Sequence, residues 1–157
     1  MAAQTPKTPL LHTAHDPDAK PTPKGIAAAV HTLAWARVVT GGLAFLAPTL
    51  TAKLFLVPGV GATSLAAYQL RLFGVRDFVI GELLWAERPP VDGRAMEQRD
   101  RAALRTVLLA NVATDGLDVL ATAGALYLGA IPKPAALMVG GGAVAFLSLG
   151  LLGLARI

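Results

Sequence analysis

The chain has no cysteine among its 157 residues, which excludes disulfides, thiolate metal sites and cysteine nucleophiles and leaves the redox compartment open. It is also short of charge. Asp, Glu, Lys and Arg make up 15% of it, against about 25% in ordinary soluble domains. Aromatic residues are only 6%, and the basic residues are scattered over loops and apolar segments. So although the pI is about 9.9, there is no basic patch interleaved with aromatics, and nucleic acid is set aside as a partner. The first 24 residues contain Pro6, Pro9, Pro17, Pro21 and Pro23 and no apolar run. A cleavable signal peptide is therefore not expected there, and residues 1–25 read as a disordered tail.

What the chain has instead is long apolar runs. Hydrophobic residues are 54% of the sequence and the mean hydropathy is +0.56. Four stretches, about 26–47, 63–85, 102–128 and 134–155, are each near the length needed to cross a hydrocarbon core of about 30 Å. The expected fold is all-α: a polytopic membrane protein, a four-transmembrane-helix antiparallel bundle occupying residues 26–157. Pro48, Pro58, Gly59 and Gly61 read as helix breakers after the first run, and Gly129 to Pro134 as a tight turn between the last two. Lys7, Lys20, Lys24, Arg88, Arg94, Arg99, Arg101 and Arg156 fall on one side of this topology, and only Lys53 and Lys133 on the other. The bias places both termini and the central loop in the cytoplasm.

Charge inside such runs is costly and marks a functional site by default. The second run carries Arg71, Arg76 and Asp77, the third Asn111, Asp115 and Asp118, and the first Arg37. At 100° per residue Asn111, Asp115 and Asp118 share one face of a helix, which must meet protein or a cavity. A rise of about 1.5 Å per residue brings Arg37, Arg76, Asp77 and Asp115 near one depth. Arg71 lies on the broad face with Gly74 and Asp77, whereas Arg76 points away from it; we therefore expect Arg71 to pair with Asp118. Buried salt bridges that merely glue the bundle are the competing explanation, but apolar replacement of such pairs is often neutral or stabilising, which favours a functional cavity. Glu82, near the cytoplasmic end, is expected to snorkel.

His31 has no histidine or carboxylate near it in sequence, so no metal site is expected there. Asn111, Asp115 and Asp118 offer oxygen atoms to a hard cation, but at a spacing that defines no site. No cofactor is expected. Gly140, Gly141 and Gly142 in the fourth run read as a surface for close helix packing, with room for a ligand as the lesser alternative, and as a route to a homo-oligomer.

The pattern Arg71, Gly74, Arg76, Asp77, Gly81, followed by Asn111, Asp115 and Asp118, resembles a family of small four-helix integral membrane proteins, broadly DoxX-like, of fungi and bacteria. The likeness covers residues 26–155. It implies the fold and topology, and, through fungal relatives in natural-product pathways, a lipophilic metabolite as ligand.

The leading expectation is thus an intramembrane polar pocket that binds or transforms a lipophilic small molecule. Asp115 and Asp118 are the acid or base candidates, and Arg37, Arg71, Arg76, Asp77 and Asn111 the surrounding charge network. Cyclisation or isomerisation by proton transfer, as in natural-product biosynthesis, fits such groups. The alternatives are a small non-enzymatic transporter and an accessory subunit of a membrane complex.

Overall fold

A computed structural model describes residues 23–92 and 94–157, and the described part is all-α. The helices are α1 (Lys24–Leu46), α2 (Pro48–Leu54), α3 (Leu65–Ala86), α4 (Gln98–Tyr127) and α5 (Lys133–Leu154). α1, α4 and α5 are long and apolar enough to cross a membrane. α3 has 22 residues but carries Arg71, Arg76, Asp77 and Glu82. The tail expected at residues 1–25 lies almost wholly outside the described residues.

Local chemistry sets the helix ends. Pro48 disfavours helical geometry at the residue before it, so Ala47 leaves α1 at φ −132° and Pro48 opens α2 at a position where its missing N–H is no loss. The segment expected to be a plain connection therefore contains a short helix: Pro48 interrupts α1 but also starts the next turn. α3 is capped by Ser64, whose Oγ accepts from the Ala67 N–H at 3.1 Å. α4 ends in a Schellman turn, with Gly129 at φ 69° donating to Leu126 O and Ala130 to Ala125 O. α2 closes with the same pair of bonds, Leu56 N to Lys53 O and Val57 N to Ala52 O. There, however, the left-handed position at φ 56° is held by Leu56.

α1 and α3 run antiparallel and make the most extensive contact in the molecule, followed by α4 with α5. The first pair meets through glycine. A Cβ on Gly41 would fall 2.4 Å from Phe78 N and 2.6 Å from Gly74 O, and one on Gly81 2.8 Å from Val38 N. Backbones this close need residues without side chains at the crossing. In the second pair, Gly150 abuts Asn111 and Val112, and Gly153 abuts Leu108. α3 and α4 meet less extensively.

The dry core, built from Ile26, Val30, Leu33, Ala34, Ile80, Leu84, Met96, Leu104 and Leu108, occupies the end of the bundle nearest the 87–97 connection. The outside is apolar too: Leu46 is 79% exposed, Leu120 70% and Leu137 74%. Large side chains in this position suit a lipid surround better than water.

Candidate functional site

Arg37 lies on the buried face of α1, one helical turn before Gly41, and is completely buried. Its guanidinium forks to three partners on two helices, α3 and α4. Nε donates to Asn111 Oδ1 at 2.6 Å, Nη1 to Asp77 Oδ1 at 2.7 Å, and Nη2 to Asp115 Oδ1. Asn111 and Asp115, four residues apart on α4, are joined by Asn111 Nδ2 donating to Asp115 Oδ2 at 2.9 Å. The planar fork of arginine suits such a junction where a lysine would not. Its carbon atom Cζ lies 4.8 Å from the centre of the Phe146 ring, so α5 closes one face of the guanidinium while α3 and α4 hold its edge.

Arg76 forms a second junction. Nη1 and Nη2 donate to Asp118 Oδ1 and Oδ2 at 3.0 and 2.7 Å, and Nη2 also reaches Asp77 Oδ1 at 3.2 Å. Phe73, three residues earlier on α3, has its ring centre 4.7 Å from Arg76 Cζ. Arg76 Nε is buried with no hydrogen-bond partner among the described residues.

The partner of Asp118 is thus Arg76, contrary to the expected Arg71–Asp118 pair, and Arg76 does not point away from the network. The expectation treated α3 and α4 as directly facing helices. In the bundle the Gly74, Asp77 and Gly81 face of α3 is turned to α1, which leaves the position one residue back, Arg76, aimed at α4. Arg71 is half-buried and lies five residues, about 7.5 Å of helix rise, toward the N-terminus of α3. It forms no ion pair with the described residues. Of the remaining candidates, Arg37, Asp77, Asn111, Asp115, Asp118 and Arg76 form one connected cluster. Asn111, Asp115 and Asp118 are taken up by guanidiniums and by each other, and no metal-holding group of His, Asp and Glu occurs among the described residues.

Next to the cluster is a cavity of about 430 Å³. Its polar lining is Thr40, Asp77, Asp115 and Asp118, and its apolar lining includes Phe55, Phe73 and Phe146 with Leu137, Met138, Gly141 and Gly142 of α5. Gly141 and Gly142, expected to pack against another helix, have open space where a side chain would begin. The sequence reading missed Phe73 and Phe146. The spacing of Phe73 from Arg76 was a usable sign, since residues three apart on a helix are neighbours; nothing in the sequence tied Phe146 to Arg37.

The carboxylates are not equivalent. Both oxygens of Asp115 and both of Asp118 accept hydrogen bonds, whereas Asp77 directs Oδ1 to two guanidiniums and Oδ2 to no donor among the described residues. Asp77 is only 1% exposed, and it lines the cavity.

Two other features stay local. His31 Nε2 lies 3.2 Å from Pro89 O and the ring packs edge-on against Trp85, which fixes the 87–97 connection to α1 and α3. Asp92 is paired to Arg94 at 2.6 Å in that exposed connection. The Arg94 backbone N–H and its guanidinium hold the Asp92 carboxyl below its ordinary range.

Compared with family models, with curated proteins and with solved structures, the chain matches none of them.

Proposed function

We propose that the chain is a four-span integral membrane protein whose intramembrane cavity binds a lipophilic small molecule. α1, α3, α4 and α5 are the spans, as in the DoxX-like proteins that the sequence resembles. The carrying observation is the cavity itself, apolar over most of its wall and bounded on one side by buried and half-buried, hydrogen-bonded charge. A mostly apolar pocket with a few convergent polar groups is the usual form of a small-molecule site.

α3 fits as a span despite its charges, because it packs antiparallel along α1 and at about 33 Å is long enough to cross with it. Its Arg76 and Asp77 meet opposite charge within the bundle, which removes much of the cost of placing them at that depth. The lysine and arginine bias then puts both termini and residues 87–97 in the cytoplasm. A single cysteine at Lys53 should react with an impermeant maleimide on intact cells, and one at Arg94 only after permeabilisation. Labelling of both from the same side would overturn the topology.

Proton transfer to or from the bound molecule, in an isomerisation or cyclisation, is the chemistry that a carboxylate at this wall serves. Asp77 Oδ2 is better disposed for it than Asp115, whose oxygens are both engaged. The test of occupancy is extraction. Protein purified from its own membranes should release a lipophilic compound in near-equimolar amount, and Gly142→Leu, which fills the cavity from α5, should reduce that amount at least tenfold. Equal extracts from the two proteins would end the ligand reading and leave an accessory subunit in its place.

A further inference from the structure

The cluster beside the cavity contains three carboxylates, Asp77, Asp115 and Asp118, and two guanidiniums, Arg37 and Arg76. With every group ionised it has one negative charge in excess. The two signs are also arranged unequally. All three aspartates reach the cavity wall, but neither Arg37 nor Arg76 lines it. Arg37 is fully buried behind the carboxylates, and Arg76, whose side chain is 36% exposed, is not part of the wall; each has a phenylalanine ring against one face. An occupant therefore meets aromatic rings, aliphatic side chains, one threonine and carboxylate oxygen. One of those oxygens, Asp77 Oδ2, is on a side chain that is 1% exposed and accepts no hydrogen bond among the described residues.

Resting on the reading of the cavity as a ligand site, we propose that its ligand is a lipophilic monocation: an amine or quaternary ammonium with its head group at the Asp77 wall. Its hydrocarbon part would lie along Leu137, Met138 and Gly142 of α5. One positive charge cancels the excess of the cluster, and the rings of Phe55, Phe73 and Phe146 add the electron-rich surface that alkylammonium groups favour. A lipophilic carboxylate or phosphate would instead bring a second negative charge to a wall with no cation among its described residues. In a site of low dielectric that repulsion is strong.

The experiment uses the full chain in phosphatidylcholine nanodiscs, a zwitterionic surround that does not itself concentrate cations. Three probes of equal chain length, octyltrimethylammonium, 1-octanol and octanoate, are measured by equilibrium dialysis against Gly142→Leu protein in the same nanodiscs. Octyltrimethylammonium should bind saturably, one per chain, at least tenfold more tightly than either other probe, and Gly142→Leu should abolish that binding. Asp77→Asn should erase the preference for the cation where that variant folds. Octanol or octanoate binding as well as the ammonium would overturn the inference and leave the cavity a ligand site. Ammonium binding unchanged by Gly142→Leu, or absent from both proteins, would overturn it as well. The separate extraction comparison then decides whether the cavity holds any ligand at all.

Discussion

Arg37→Met should destabilise the protein by about 3 to 5 kcal/mol, the range found when one member of a buried ion pair is removed. Methionine fills much of the same space but leaves Asp77 Oδ1 with Arg76 alone, Asp115 Oδ1 with no donor, and Asn111 Oδ1 with none. Taking away the stranded charge as well should reverse much of the effect. Arg37→Met combined with Asp115→Leu is expected to recover at least half of the loss, because Asp77 keeps Arg76. Unfolding by denaturant in detergent micelles measures both. A loss for Arg37→Met under about 1 kcal/mol, the value of a solvated surface pair, would mean that water replaces the guanidinium and that the cluster is wet.

The second large effect is expected at Gly41. A Cβ there would lie 2.4 Å from Phe78 N and 2.6 Å from Gly74 O. Both are backbone atoms of α3, so no side chain can swing aside to make room. Gly41→Ala must push two helices apart, and it should cost about 3 kcal/mol, the upper part of the usual range for overpacking. Gly42→Ala is the control. Its Cβ would meet only Phe78 Cδ2, at 3.9 Å, so the better helix propensity of alanine should leave stability unchanged or slightly raised. Thermal unfolding of the two variants compares them directly. Equal midpoints would show that the α1–α3 crossing is looser than its backbone distances.

The sequence made the helices and the level of the charges legible for a simple reason: in a long apolar run, position along the chain is also depth. Arg37, Asp77 and Asp115 fall at one level by counting residues, and they are hydrogen-bonded in the structure. Which arginine meets Asp118 was not legible. That choice between Arg71 and Arg76 depends on how α3 is rotated about its axis, and the rotation is set by Gly74 and Gly81 fitting against α1. Those glycines could be seen in the sequence but not assigned a partner helix, while the run Gly140 to Gly142 drew the packing argument to α5. There the space beside Gly141 and Gly142 is empty. The cavity was likewise out of reach as a shape, because it depends on the absence of side chains on one helix facing the carboxylates of two others.

The single arginine that joins three helices also sets a schedule for assembly. Arg37 precedes Asp77 by 40 residues and Asp115 by 78. At about 5 to 20 residues per second of synthesis, its first carboxylate follows by roughly 2 to 8 seconds and its second by roughly 4 to 16. On the four-span reading, α1 carries until Asp77 follows it a positive charge without its carboxylate, at a cost in hydrocarbon of about 2.5 to 3.5 kcal/mol or more. That cost favours a first helix held at the insertion machinery or the membrane surface, with its guanidinium hydrated, until α3 and then α4 arrive. Insertion of a four-span bundle would then be a joint event of the helices rather than a sequence of independent ones, and chains interrupted before residue 77 would be left with a helix that the bilayer has reason to reject.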